Sequence, residues 1–237
     1  MDAVTAGAPL VAAVRDALAR AGDPDRAAWA RAYMKSAMPF HGVPVPQVRR
    51  LTTALLAEHP LPDRAAWHDT VLELWDDATH REERYAALAL VRGRASARFQ
   101  DLGALDLYRH LVVTGAWWDL VDELAHAVGA VLRGAGPPAA AVVRAWSRDE
   151  DLWLRRVAIL AQLGLREATD TALLADCIEV NLADREFFVR KAIGWALRDY
   201  ARADPAWVAA FVAARGDRMS PLSRREATKH LGPPRGG

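Results

Sequence analysis

Asp149-Glu150-Asp151-Leu152-Trp153-Leu154-Arg155-Arg156 returns 35 residues later as Asp184-Arg185-Glu186-Phe187-Phe188-Val189-Arg190-Lys191, with charged residues opening, apolar ones in the middle and two cations at the close. Arg84-Tyr85-Ala86-Ala87-Leu88-Ala89 resembles Arg156-Val157-Ala158-Ile159-Leu160-Ala161 at a separation of 72 residues, close to two such periods. Trp117-Trp118-Asp119-Leu120-Val121-Asp122-Glu123-Leu124 falls in the gap between them. A repeat of this length is the size of one helical pair, which cannot bury its apolar faces alone and so stacks on its neighbours. The sequence therefore predicts an all-α fold, a HEAT-like repeat α-solenoid whose stacking gives a concave, positively charged groove.

The rest of the chain agrees with a helical reading. Ala, Leu, Arg and Glu dominate the segments between breakers, and alternating β-branched runs are nearly absent. Breaks are expected at Gly22 to Pro24, Gly42 to Pro46, Pro60 to Pro62, near Gly103, Gly134 to Pro138, Leu165 to Asp170, Pro205 and Pro221, with short loops between. With 237 residues, 52% hydrophobic and 26% charged, the chain has the length of one extended domain or two small ones. The reading taken is a single solenoid domain over 1–237, with a capping helix over about 1–26 and a disordered tail over about 233–237.

Composition narrows the function classes. Thirty-one Lys and Arg against thirty Asp and Glu give a formal net charge of +1, so any argument for an anionic partner must come from charge placement. Cys177 stands alone, which rules out an intrachain disulfide and a cysteine-based zinc cluster and suits a reducing cytoplasm. No run is long and apolar enough for a bilayer, and Arg15 and Asp16 interrupt the N-terminal apolar stretch, so that stretch reads as an amphipathic helix and no membrane partner is expected.

A helix advances about 100° per residue, so numbering converts to faces. On the helix around residue 120, Trp117, Val121, Leu124 and Val128 form the core stripe, and Trp118 and Asp122, four apart, form a second stripe at its border. On the next, Arg156 projects from an apolar arc containing Trp153, Val157 and Ile159. A cation there needs a partner or a solvent-lined groove: one reading is an ion pair tying two repeats together, with Asp122 as candidate partner, and the other is a ligand contact. On the third, Val189, Ile193, Ala196, Leu197 and Tyr200 face the core, whereas Phe188, Lys191 and Trp195 lie opposite with Phe187 and Arg198 at the edge. Rings interleaved with cations suit nucleic acid, since rings meet sugar or base faces and cations meet phosphate. The alternative is a second packed face covered by the neighbouring repeat.

These motifs carry a resemblance. Tyr33-Met34-Lys35 followed by Phe40 and Gly42, Trp117 to Asp122, Leu154 to Ala158, Phe187 to Arg198, and Leu222-Ser223-Arg224-Arg225-Glu226-Ala227 together make the chain, from about Tyr33 to Leu231, similar to the AlkD-type DNA alkylation-repair glycosylases, a HEAT-like-repeat family. The resemblance implies a catalytic role for Asp122, with Trp118 and Trp195 embracing the deoxyribose of the damaged nucleotide, Arg156 contacting the DNA backbone and Tyr33 bordering the cleft. Lys35, Phe187, Phe188, Lys191, Arg198, Arg224 and Arg225 complete the expected DNA-binding set. It further implies base excision repair of cationic N3- or N7-alkylated purines such as 3-methyladenine and 7-methylguanine in double-stranded DNA, without base flipping, by a monomer needing no cofactor and no metal. The low lysine content and near-neutral charge of this chain set affinity and lesion range apart from the chemistry.

Among the other constellations, the seven histidines show no pair at ligand spacing; His126 follows Asp122 by four and reads as a hydrogen-bond partner. Asp76 and Asp77 read as a solvated turn, and Cys177 as a small core residue. Two competing functions use the same scaffold: a non-catalytic DNA-structure binder, which has no need of Asp122 together with both tryptophans, and a protein-binding scaffold, which would show no salt-dependent affinity for DNA.

Overall fold

Aspartates start many of the helices. Asp23, Asp63, Asp151, Asp170 and Asp204 each turn a side-chain oxygen back onto backbone N–H groups of the first helical turn, and Ser220 does the same. Each such cap satisfies donors that have no intrahelical partner and is worth about 1 kcal/mol. Proline at the first helical position follows the cap at Pro24, Pro205 and Pro221, where a missing N–H costs nothing.

The computed structural model describes residues 6–231, which carry thirteen α-helices, three 3-10 turns and no strand. The expected tail over 233–237 lies outside the described residues. The chain divides into two compact units, Met1–Gln100 and Asp101–Gly237.

The first unit holds α1 (Ala8–Arg20), α2 (Pro24–Met34), α3 (Val45–Glu58), α4 (Arg64–Asp76) and α5 (Arg81–Arg92). Of the capping segment expected over 1–26, residues 1–5 lie outside the described residues, and the rest holds α1 and the beginning of α2, divided at Ala21–Asp23. Leu10, Val11, Val14 and Leu18 bury one face of α1, which packs on α3, α4 and α5. The expected break at Gly42 to Pro46 is part of a longer connection over 35–44, and α5 fastens it: the buried Glu82 carboxylate accepts from the backbone N–H groups of His41, Gly42 and Val43 at 2.8–3.1 Å. Gly42 has φ 88, and a Cβ there would meet the Asp23 carbonyl oxygen at 2.1 Å. Glu83 closes a capping box with His80 and accepts from Arg15 Nε at 2.7 Å.

The second unit holds α6 (Leu105–Gly115), α7 (Trp118–Ala135), α8 (Pro137–Trp146), α9 (Leu152–Leu160), α10 (Thr171–Glu179), α11 (Phe187–Tyr200), α12 (Pro205–Arg215) and α13 (Pro221–Ala227). α9 packs on both α7 and α11, and α11 on α13, so alternate helices lie side by side as a repeat requires. Close approach is set by two glycines. A Cβ on Gly129 of α7 would lie 2.3 Å from the Ala161 carbonyl oxygen, and one on Gly194 of α11 would lie 2.5 Å from Glu226 Cβ.

The 35-residue period has a local mechanism. Asp149 Oδ1 accepts from Asp151 N at 3.0 Å, and Asp184 Oδ1 accepts from Glu186 N at 2.8 Å, so each copy opens on the same side-chain turn ahead of its helix. Arg155 Nε then donates to Asp184 Oδ2 at 3.1 Å, joining the copies. On the other layer Arg144 of α8 pairs with Asp176 of α10, and Glu179 of α10 with Arg215 of α12. Cys177 is buried in α10 as expected, and burial pushes its thiol up to about 12.

One element corrects the reading by rotation. Trp117 is not on the helical core stripe: it is the extended N-cap residue of α7, with φ −154 and ψ 145, because Ala116 ends α6 in the left-handed conformation. Breaks at Asp77 to His80, at Ala116 and at Val180 to Glu186 have no proline and only weak sequence signals; Asp76 and Asp77 do lie at the end of α4, at the expected turn.

Candidate functional site

α7, α9 and α11 bring Asp122, Arg156, Phe188 and Trp195 together. Arg156 donates from Nε to Asp122 Oδ1 at 2.7 Å and from Nη2 to Oδ2 at 2.8 Å, a two-pronged fork that fixes both groups in one plane. Its Nη1 donates to the Phe188 carbonyl oxygen at 2.6 Å. The guanidinium carbon lies 5.8 Å from the Phe188 ring centre and 6.0 Å from that of Trp195, within reach of a cation–π attraction. Arg156 is 3% exposed. The ion-pair reading of this residue is therefore realised in the structure, with Asp122 as the partner.

Burial pushes the Asp122 carboxyl above the usual carboxylate range, while the hydrogen bonds and charge of Arg156, and the charge of His126, pull the other way. The fork needs an ionised carboxylate. Three of the five guanidinium donors are used, and each carboxylate oxygen keeps a free lone pair, so the pair retains hydrogen-bonding capacity. The Asp122 side chain is 15% exposed against 4% for Arg156, which makes the carboxylate the more accessible member.

Trp118 is the first residue of α7, one turn before Asp122, and is half-buried. Its position follows from the left-handed Ala116, which turns the chain sharply out of α6 and starts α7 at the indole. Behind the ion pair Trp117, Trp153 and Phe188 form an aromatic cluster with ring centres 4.8–6.1 Å apart. Trp117 Nε1 is buried there without a hydrogen-bond partner. Phe187 stands edge-on to Phe188 and is exposed.

Two cations of α11, Lys191 and Arg198, are already engaged. Lys191 Nζ donates to Glu226 Oε1 at 2.8 Å and Arg198 pairs with Glu226 Oε2, both reaching across to α13. Lys191 and Arg198 bring the Glu226 carboxyl below the usual range against the opposing effect of burial. That face of α11 is thus partly covered by the next helix, the alternative its sequence left open. Asp122 with Arg156, 34 residues apart, and Lys191 with Glu226, 35 apart, form successive pairs along the repeat. Glu226 was not among the expected site residues. Arg224 and Arg225 are exposed on α13.

Tyr33 and Lys35 belong to the first unit and are exposed, Tyr33 on α2 and Lys35 as its left-handed C-cap. In the same unit His41 and His80, 39 residues apart and invisible as a pair in the sequence, stack with ring centres 3.7 Å apart beside Glu83. As a metal site this cluster is poor. Glu83 Oε1 already accepts from Thr79 N, Thr79 Oγ1 and His80 N, and Oε2 from Arg15. Nearly parallel rings, 14° apart, also cannot aim two lone pairs at one ion.

The described family of DNA alkylation repair enzymes matches residues 14–231 of the chain. Among solved structures, the chain is similar to a predicted DNA alkylation repair enzyme from Enterococcus faecalis, with 32% identity, TM-score 0.79, and 89% of this chain and 97% of that chain covered. It shares the fold of AlkD2 from Streptococcus mutans at 17% identity and TM-score 0.63, over 81% of this chain and 92% of that one. The same holds for smu.31 from Streptococcus mutans UA159 at 18% identity and TM-score 0.59, over 79% and 99%. No curated protein matches the chain.

Proposed function

Because the chain belongs to the DNA alkylation repair enzyme family, we propose that it is a DNA glycosylase that hydrolyses the N-glycosidic bond of cationic N3- or N7-alkylated purines in duplex DNA. The observation that carries this reading is the meeting of Asp122, Arg156 and Trp195 from three successive stacked helices, with Trp118 one turn from the carboxylate.

An alkylated purine that bears a positive charge leaves as a neutral base, taking the bonding electron pair with it, so no general acid is required. Positive charge then builds on the deoxyribose. Asp122 stabilises that charge and orients the water whose oxygen bonds to C1′, the proton passing to solvent. At an effective dielectric of ~20, opposite charges about 4 Å apart attract by roughly 4 kcal/mol, against ~0.5–2 kcal/mol for one indole face. The carboxylate dominates and Trp118 and Trp195 add to it. Arg156 holds the carboxylate in place and offers its two remaining N–H groups to a phosphate, an approach that needs the buried guanidinium to shift toward the DNA. Contact through sugar and backbone leaves the base outside a tight pocket, so bulky adducts are tolerated and base flipping is not needed. The reading includes a single-domain monomer acting in the cytoplasm without cofactor or metal.

A second reading, a non-catalytic DNA-structure binder, is favoured by one observation: Asp122 is already neutralised by Arg156, as in a purely structural ion pair. Incubating the protein with methylated duplex and measuring free 7-methylguanine and 3-methyladenine separates the two. Release above the spontaneous rate supports the enzyme; salt-dependent binding without release supports the binder.

A further inference from the structure

α2 is unlike the other helices of its unit. Met34 is its only fully buried residue, while Trp29 and Tyr33 are 64% and 61% exposed, two of the five large hydrophobic side chains found on the surface of the described residues. Their rings stack on each other with centres 5.1 Å apart and planes 8° apart. Arg26, Trp29 and Tyr33 stand at i, i+3 and i+7, within about 60° of one another on the helix. An open crevice is lined by Trp29, Arg26 and Asp23. Asp23 Oδ1 caps α2, accepting from Asp25 N and Arg26 N. Among the described residues the Arg26 side chain makes no ion pair.

We propose that Trp29, held flat by Tyr33, is a stacking platform for an unpaired base of DNA, with Arg26 on the same face as a phosphate contact. The inference rests on the DNA-binding part of the proposed function for its ligand, an unpaired base being offered only where the duplex is interrupted, and it concerns a residue on which the family resemblance is silent. Three arguments carry it. Leaving an indole in water is unfavourable, and no element among the described residues covers this one. Two rings in parallel reproduce the geometry of base on base, so a third flat ring extends the stack; one base–aromatic contact is worth about 1–3 kcal/mol. Arg26, on the same face as the rings, matches a phosphate next to such a base.

The test is binding of two duplexes, one fully paired and one carrying a single-nucleotide bulge, at two salt concentrations, with base release from methylated duplex measured on the same preparation. Trp29→Ala is expected to weaken the bulged duplex about tenfold, the fully paired one by less, with an unchanged salt slope because a ring contact releases no counterions. Trp29→Phe should keep most of the affinity, and Arg26→Ala should lower the slope by about 1. Should alanine disturb α2, Trp29→Leu keeps the apolar bulk without the π face and is expected to show the same loss. Unchanged affinity for both duplexes in the alanine and leucine variants overturns the platform while leaving the glycosylase reading intact. A parent protein that releases no base but binds the bulged duplex through Trp29 removes the glycosylase reading alone. A parent that binds neither duplex removes both.

Discussion

At Asp122 two opposing effects meet: loss of water disfavours the charged form, and the Arg156 fork offsets part of that effect. Removing either partner therefore has a distinct signature. Asp122→Asn keeps the shape and is expected to lower excision of 7-methylguanine or 3-methyladenine by ~100-fold or more, about 2.7 kcal/mol of transition-state stabilisation, measured under single-turnover conditions. Release at the parental rate would exclude Asp122 from the chemistry. Arg156→Ala leaves a mostly buried carboxylate without its partner and should cost about 3 kcal/mol of stability, read as a lower urea midpoint, together with weaker binding to damaged and undamaged duplex alike. A midpoint equal to the parent's would mean that the pair contributes no net stability. Much at this scale was legible. Four-residue spacing put Trp118 and Asp122 on one stripe, and an arginine inside an apolar arc demanded a partner, with Asp122 among the candidates. What was hidden is that Lys191 and Arg198 are claimed by Glu226, since nothing local in the sequence couples α11 to a carboxylate 35 residues away from Lys191.

Between elements, the stack depends on side chains that are absent as much as on those present. Gly194 lets α13 approach α11 so closely that an added methyl meets Glu226 Cβ at 2.5 Å and the Ser223 carbonyl oxygen at 2.9 Å. Gly194→Ala is expected to force the helices apart and cost roughly 1–3 kcal/mol, despite alanine's better helix propensity, with a lower melting temperature as the readout. An unchanged or raised melting temperature would show that α13 yields at little cost. The repeat itself was readable because Asp149 and Asp184 make the same turn before α9 and α11, so the constraint is local and recurs with the sequence. The end of α6 was not readable in this way. A left-handed Ala116 carries no compositional mark, and it moves Trp117 off the helix and into the aromatic cluster with Trp153 and Phe188.

Across the whole molecule, stability against acid follows from carboxylates held below their ordinary value. For Glu83 and Glu179, burial alone would raise the carboxyl, but Arg15 and Thr79 in the first case, and Arg215 and Arg218 in the second, bring it down; Glu226 is lowered chiefly by Lys191. These groups bind protons less readily when folded, so the stability they confer is fully present above about pH 4.5, their ordinary value, and is lost as the pH falls through the lowered ones. Asp122 has the opposite sign: its carboxyl is held above its ordinary 3.8, so its contribution is fully present below that value and is withdrawn as the pH climbs from there through the raised one. The urea midpoint is expected to drop below about pH 4.5, and Glu226→Gln to flatten part of the drop; a variant with the parent's pH profile would show that Glu226 takes no part in it. The amino-acid sequence by itself determined the helical class, the repeat period and most helix starts, because caps, prolines, apolar spacing and recurring turns act within a few residues. Only the tertiary structure decided which charges neutralise one another, which face of α11 is covered and which aromatic rings are left in water, because those outcomes depend on elements that lie far apart in the chain and meet only when the helices stack.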